Sequence, residues 1–517
     1  MMRDSKRWKK RIARILYWLK GALQRSGYLL HIPGRAVRYF AAKRRGVLQS
    51  RRMARRAGRL AIHGASLALL RRSWQRMTAR ADGEMGERGD EVWQPAAVSI
   101  MEAAVELGEF PRAVGKLSTS MGRLEQSVDM IWPVQPLLSP ESGTINRMKR
   151  ELKNCSEWEK RLIGRIVERT RRWNRNNRTR TQAYWDFYRR HPEVHWALLA
   201  HMVSRNGGWN MTDLQGGLLP AILDQEQRRE VFCFLERANA FIFGDAYPQL
   251  LLYEAGKREG HDLSYLLPAF QVSRFMTPAW RVFWRGRDSA LLTVALIVNE
   301  QHYIENRVVR SPEIRQKVLE APFFKLQSLL QLNQVVFPYA LHAERTKLAG
   351  LILEDFSDVQ ERIEFGKRLY AMLFRIPDIY GGVVNFARTV RHTGSRADYA
   401  PQLFASKNDR LHGASDGANH HSPFSYKAES AAGDHTHTDD TRPLIFSPGL
   451  SDAWVDQPLV QPEEGDWFRN AADVERYFAG LPLPPSFEMT NEYEFGLHKI
   501  EAAALAALSV AGRPGPT

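Results

Sequence analysis

The chain has 517 residues, 44% of them hydrophobic, 25% charged and 10% aromatic. That is globular composition with apolar content enough for a substantial core, and it excludes collagen-like, mucin-like, disulfide-scaffold and wholly disordered classes. Two cysteines, Cys155 and Cys233, make neither a disulfide framework nor a cysteine zinc site, and they suit a reducing cytosol. The formal net charge of +17 is unevenly placed. Residues 1–80 hold 23 Lys and Arg against one acid, Asp4, whereas residues 401–517 hold 8 basic against 17 acidic residues. The basic character belongs to one arm.

Within that arm the spacing predicts a helix from Lys6 to Leu23. Trp8, Ile12, Ile15, Leu19 and Leu23 fall on one stripe, with Lys9, Lys10, Arg11, Arg14, Lys20 and Arg25 around them and Trp18 alongside. An apolar stripe with cationic flanks suits the plane of an anionic bilayer, where Lys and Arg stems lie along the lipid and their charges meet phosphate. Further basic clusters follow at Lys43-Arg44-Arg45, Arg51-Arg52, Arg55-Arg56 and Arg71-Arg72. Arg14 and Lys20 interrupt any secretory apolar core. A transit peptide and a merely solvated tail both fit the composition, and nucleic acid fits the charge through counterion release. Only the membrane surface uses the apolar stripe as well. The longest apolar runs, Ser289 to Val298 and Leu326 to Ala343, are too short or too polar to span a bilayer.

Residues 81–145 read as a linker with weak helices, among them Ser99 to Leu107. From about 146 to 400 one helix follows another. Thr179-Arg-Thr-Gln182 has the pattern of a capping box, and His191-Pro192 ends that helix and opens the next with Pro at its first position. Asn206-Gly207-Gly208 then reads as a helix end. Asp224 to Gln227, Thr277-Pro278 and Ser311-Pro312-Glu313 mark further starts. Alternating strand patterns are scarce, so the fold class is all-α: a multi-helix globular domain with a basic amphipathic helical N-terminal arm and a partly disordered C-terminal extension. Residues 405–445, rich in Ser, Gly, Asp and His, form the disordered part, with short helices expected at Ala471 to Ala479 and Glu492 to Val510.

Arg169 to Asp213 interleaves arginines with Trp173, Tyr184, Trp185, Tyr188, Trp196 and Trp209. Such a mixture can stack and neutralise single-stranded nucleic acid, but the aromatics fall at core spacing. His191, Glu193, His195 and His201 invite a metal, yet His191 precedes a proline and His201 lies about 240° around a helix from His195, so no metal is assigned. Two polar segments remain as candidate sites. The first, Ser204 to Asp213, is expected as a tight turn presenting Arg205, Asn206, Trp209, Asn210 and Asp213 to a ligand. The second, Asn299-Glu-Gln-His-Tyr-Ile-Glu-Asn306, leaves an apolar run and either emerges into water or lines a polar cavity. There Asn299 is a ligand contact, and Glu300 or Glu305 beside His302 makes an acid/base pair. No Walker loop, dinucleotide glycine motif, Gly-x-Ser-x-Gly elbow or His-Glu-x-x-His is present, and no cofactor is assigned.

Three strings carry a family resemblance: Asn174-Arg-Asn-Asn-Arg-Thr-Arg-Thr-Gln-Ala-Tyr184 with Trp185, Ala200-His-Met-Val-Ser-Arg-Asn-Gly-Gly-Trp-Asn-Met-Thr-Asp-Leu214, and Asn299-Glu-Gln-His-Tyr-Ile-Glu305. Over about 146–400 the chain resembles domain of unknown function 2515, a family of spore-forming Gram-positive bacteria. The resemblance implies a cytoplasmic bacterial protein and attaches no activity, cofactor or residue role. It sets the arm and the acidic tail outside the matched block. The organisation expected is therefore a basic arm at 1–80, a linker at 81–145, a helical domain at 146–400 and an extension at 401–517. The function expected is a binding or structural protein at the inner face of the cell membrane, held by its arm to anionic lipid. Nucleic-acid binding through the same arm is the alternative, and an enzyme joining the 205–213 and 299–306 segments is the third reading.

Overall fold

The computed structural model describes residues 43–57, 155–321, 324, 333–340, 346–406, 444–463 and 465–511. The proposed lipid-facing residues Trp8, Lys9, Lys10, Arg11, Ile12, Ile15, Trp18 and Leu19 lie outside them, as do the 81–145 linker and most of 405–445.

The architecture is all-α in class, with two small sheets added. Helix α1 covers residues 43–57. Helix α2, Glu157–Trp173, is opened by a Ser156/Glu159 capping box and buries Leu162, Ile163 and Ile166. Helix α3 runs Asn177–Arg190. Its cap is Asn176 with Thr179 completing the box, so the expected Thr179/Gln182 pair sits one turn inside the helix. Asparagine is a better N-cap than threonine, and here it is already extended where the chain enters. Helix α4, His195–Asp213, begins three residues later than the proline suggested. The amide of Val194 donates to the His191 carbonyl at 3.0 Å, which makes 191–194 a turn and leaves Pro192 inside it.

The larger correction concerns Asn206-Gly207-Gly208, which does not end a helix; α4 continues through it to Asp213. A Cβ at Gly208 would stand 2.4 Å from Asn177 Oδ1 and 2.6 Å from His392 Nε2. The glycine is there so that α3 and the 390s can approach the helix backbone. Tertiary packing outweighs the local stop signal.

Helix α5, Leu219–Ile222, is a single turn, and α6, Gln225–Glu259, is 35 residues long with the expected Asp224/Gln227 box. Helix α7, Met276–Gly286, packs on α8, Ser289–Ile304, every residue of which is buried from Ser289 to Asn299. Strands β1, Gln334–Ala340, and β2, Lys347–Ile352, form an antiparallel hairpin that the sequence did not signal. Helices α9, Val359–Arg375, and α10, Pro377–Thr389, cover it. Strands β3, Phe404–Ala405, and β4, Ile445–Phe446, pair in parallel, and α11, Thr490–Ala511, is the last helix among the described residues.

The main core does not stop at residue 400. Phe468, Val474, Tyr477, Phe478, Leu481, Phe487 and Leu497 belong to the same buried cluster as Trp196, Leu250 and Leu296. Overpacking should make Gly208→Ala about 3 kcal/mol less stable to urea. Gly164→Ala, in the middle of α2 with open space around it, should gain about 0.5–1 kcal/mol. Equal effects at the two sites would refute the close approach.

Candidate ligand cavity and cationic face

Because α4 is a continuous helix, its polar residues divide onto two faces. Arg205, Trp209 and Thr212 share one. The Arg205 guanidinium is fully buried, lies 4.4 Å over the Phe386 ring and donates to the Val390 carbonyl, and burial lowers its pKa to about 10. Trp209 packs at 4.4 Å from Tyr399 and 6.3 Å from His392, and Thr212 donates to the Gly394 carbonyl. His392 in turn meets Asn177 Oδ1 at 2.9 Å, and burial drops its pKa to about 4. This face is closed packing and offers no opening to a ligand among the described residues.

Asn206, Asn210 and Asp213 share the other face. Asn206 is spent on structure: its side-chain amide donates to Val336 O at 2.8 Å and accepts from Val336 N at 2.9 Å, standing in for a strand along β1. Asn210 and Asp213 face a partly open cavity of about 240 Å³. Its wall is mostly apolar, with Leu219, Phe234, Leu235, Phe356, Phe446 and Leu497 from five different parts of the chain. Its polar end is built on Arg396. The guanidinium Nε donates to both Asp213 oxygens at 2.8 and 2.9 Å, Nη2 to Asp213 Oδ2 and Asn210 Oδ1, and Nη1 to the hydroxyls of Tyr399 and Tyr493. Sequence reasoning missed Arg396 and Tyr493, and no local pattern marks either.

The 299–306 segment faces elsewhere, and none of its side chains lines this cavity. Asn299 donates to Asp245 Oδ2 at 2.5 Å and accepts from the Trp467 indole at 2.9 Å. His302 stacks on Trp467 with centroids 4.5 Å apart, and burial lowers its pKa to about 4, so the ring is neutral. The Glu305 carboxylate is held by Arg362 and Arg310. Glu300 is half-buried beside Trp196; desolvation pushes it up to about 8, and Asp245 up to about 7. The segment is half-buried at Glu300, Gln301 and His302 and exposed at Asn306, and it does not join the 205–213 residues around one cavity. Asp245 was also missed, although a lone acid within Phe241-Ile-Phe-Gly-Asp-Ala-Tyr247 is a readable signal. Among the described residues no group of three or more His, Cys, Asp or Glu is placed to hold a metal ion.

Helix α1 presents the other notable surface. Gly46, Ser50, Met53 and Ala57 turn toward the body, where Ser50 Oγ accepts from the amides of Phe487 and Glu488 at 3.0 Å each. Arg44, Arg45, Arg51, Arg52, Arg55 and Arg56 occupy the opposite arc of about 140° and are exposed. Among the described residues only Lys43 and Arg56 of this helix reach carboxylates, Glu492 at 4.0 Å and Asp378 at 3.7 Å.

A family model described as a protein of unknown function, DUF2515, matches residues 172–492, more than half of the chain. The chain belongs to the DUF2515 family. Over 248 residues, 48% of this chain and 76% of the relative, it is 42% identical to a Bacillus subtilis (strain 168) protein named "Uncharacterized protein YppC". No solved structure matches the chain. The DUF2515 match takes in both polar segments, Arg396 and most of the cavity wall, and it runs well past residue 400 into the segment that the sequence had set aside as an extension. Helix α1 lies outside it.

A buried acid that stays protonated in the folded chain binds a proton that the unfolded chain has released, so stability must fall as pH rises from about 4.5 to about 8. Glu300→Gln keeps the shape without the charge. Chemical unfolding across that window should show a shallower loss of stability for Glu300→Gln than for the native chain; parallel curves would refute a protonated Glu300.

Proposed function

We propose that the chain is a binding protein that holds its helical body against the anionic inner face of the cell membrane. The observation that carries this reading is the arginine arc of α1. Six guanidinium groups on one side of a helix, backed by small side chains seated on the body, make a cationic surface that is already ordered. Each Lys or Arg brought near an anionic bilayer contributes about 1 kcal/mol, and the attraction falls off within a Debye length. The sequence upstream adds what electrostatics lacks. Read as a helix, Trp8, Ile12, Ile15 and Leu19 supply an apolar face that inserts at the headgroup boundary, and two weak anchors together hold better than either. No helix among the described residues is long and apolar enough to cross a membrane, so the association drawn here is peripheral.

Sedimentation with vesicles tests this. The full chain should pellet with phosphatidylglycerol-containing vesicles and not with phosphatidylcholine alone, and added salt should weaken the binding. Arg51→Glu, Arg52→Glu and Arg55→Glu together should weaken it at least 10-fold while leaving the thermal midpoint in place, because these side chains are exposed. Equal pelleting with neutral lipid would overturn the reading. A salt-sensitive DNA gel shift that the triple variant abolishes, without vesicle binding, would reassign the face to nucleic acid.

A further inference from the structure

The cavity beside Asp213 has no part in membrane attachment, yet it has the form of a ligand site. Its volume of about 240 Å³ exceeds the roughly 150 Å³ at which an engineered apolar cavity takes up benzene. Its composition, an apolar wall with a few convergent polar groups at one end, is that of small-molecule sites in general.

The polar end decides what kind of molecule fits. Arg396 has five N–H donors, and all are directed at Asp213, Asn210, Tyr399 or Tyr493. No guanidinium hydrogen is left for a carboxylate or phosphate, and an anion brought there would also face the Asp213 carboxylate. A cation gains little, because Asp213 is already paired on both oxygens. What remains is a pair of neutral donors. The Tyr493 hydroxyl accepts from Arg396 at 3.3 Å and from Tyr399 at 2.7 Å, which leaves its own hydrogen to give. The Asn210 amide accepts from Arg396 through Oδ1, which leaves Nδ2 free to donate. Both residues line the cavity.

We infer that the cavity binds an uncharged amphiphile: a hydrocarbon body among Leu219, Phe234, Leu235 and Leu497, with one hydroxyl or carbonyl oxygen accepting from Asn210 and Tyr493. The charged pair Asp213–Arg396 acts as a positioning element. It orients both donors and, being neutral as a unit, rejects charged heads. Opposite charges held bidentately at this distance are a stable fixture of a partly buried site.

Titration calorimetry with decanol, decanoate and decane on the full chain provides the test. Decanol should bind saturably at one site and at least 10-fold more tightly than decanoate, with decane between them or weaker than decanol. Val231→Trp, which places an indole in the cavity, should abolish decanol binding. Asp213→Asn leaves the volume unchanged and frees the Arg396 charge, so it should invert the preference toward decanoate; this keeps the test independent of whether the bulkier indole is tolerated. Absence of saturable decanol binding, equal affinity for decanoate in the native chain, or an unchanged order in Asp213→Asn would each overturn the inference.

Discussion

The polar side chains inside α4 must be given partners, because a buried amide, hydroxyl or imidazole without one costs more than most single contacts contribute. His201 meets the Thr181 carbonyl on α3, Ser204 meets Thr181 and Asn177, Asn206 meets β1, and Thr212 meets the carbonyl of Gly394. The partners belong to three different stretches of chain, so satisfying one helix sets the mutual positions of α3, the hairpin and the 390s. Apolar burial alone would leave such a helix poorly fixed in rotation, since buried residues lie around most of it and only Val203 is exposed. The hydrogen bonds choose the rotation. That choice is what sends Arg205 and Trp209 into closed packing and Asn210 and Asp213 to the cavity.

The same helix shows why the sequence was legible in some places and not in others. Where local chemistry and tertiary packing agree, as at Asp224 and Gln227 opening α6, the start of the helix is readable to the residue. At Asn206-Gly-Gly they disagree. Local rules see a terminus, while the packing needs glycine at 208 so that Asn177 and His392 can reach the backbone. The hairpin was missed for a related reason. Val336, Phe337, Pro338 and Tyr339 are all buried, so β1 carries no alternation for a period-two pattern to detect. Within residues 463–489 the short helix expected at Ala471 to Ala479 is present as the turns Ala472–Glu475 and Arg476–Phe478, but the anchors Trp467, Phe468 and Phe487 lie in irregular chain outside it and follow no helical or strand period.

That last segment also explains the end of α8. A helix that passes from an apolar run to Asn-Glu-Gln-His would ordinarily be leaving the core. Here the chain from Glu463 to Phe468 lies over it: Arg307 donates to the carbonyls of Glu463 and Gly465, and Trp467 covers His302 and bonds Asn299. The covering keeps water from His302 and leaves it neutral, and burial raises Glu300 to about 8 and Asp245 to about 7. His302, which looks catalytic in sequence, is therefore held neutral by a segment about 160 residues further along the chain, whereas Glu305 is paired with Arg310 and Arg362. Nothing within the string itself carries that information.

The docking of α1 bears on how a cationic face works. A flexible basic tail must give up conformational entropy when it meets a surface, and that cost is subtracted from every charge it brings. Helix α1 is already seated. Ser50 caps the amides of Phe487 and Glu488, the very residues that extend the hairpin edge through the Ala349–Glu488 bridge and the bond from Gly350 N to Phe487 O. A Cβ at Gly46 would stand 2.9 Å from the Glu488 carbonyl, so the helix sits as close as its backbone allows. Inward small residues and outward arginines are thus two consequences of one arrangement. The backbone that carries the six arginines is thus ordered in advance, while their exposed side chains keep their rotamer freedom.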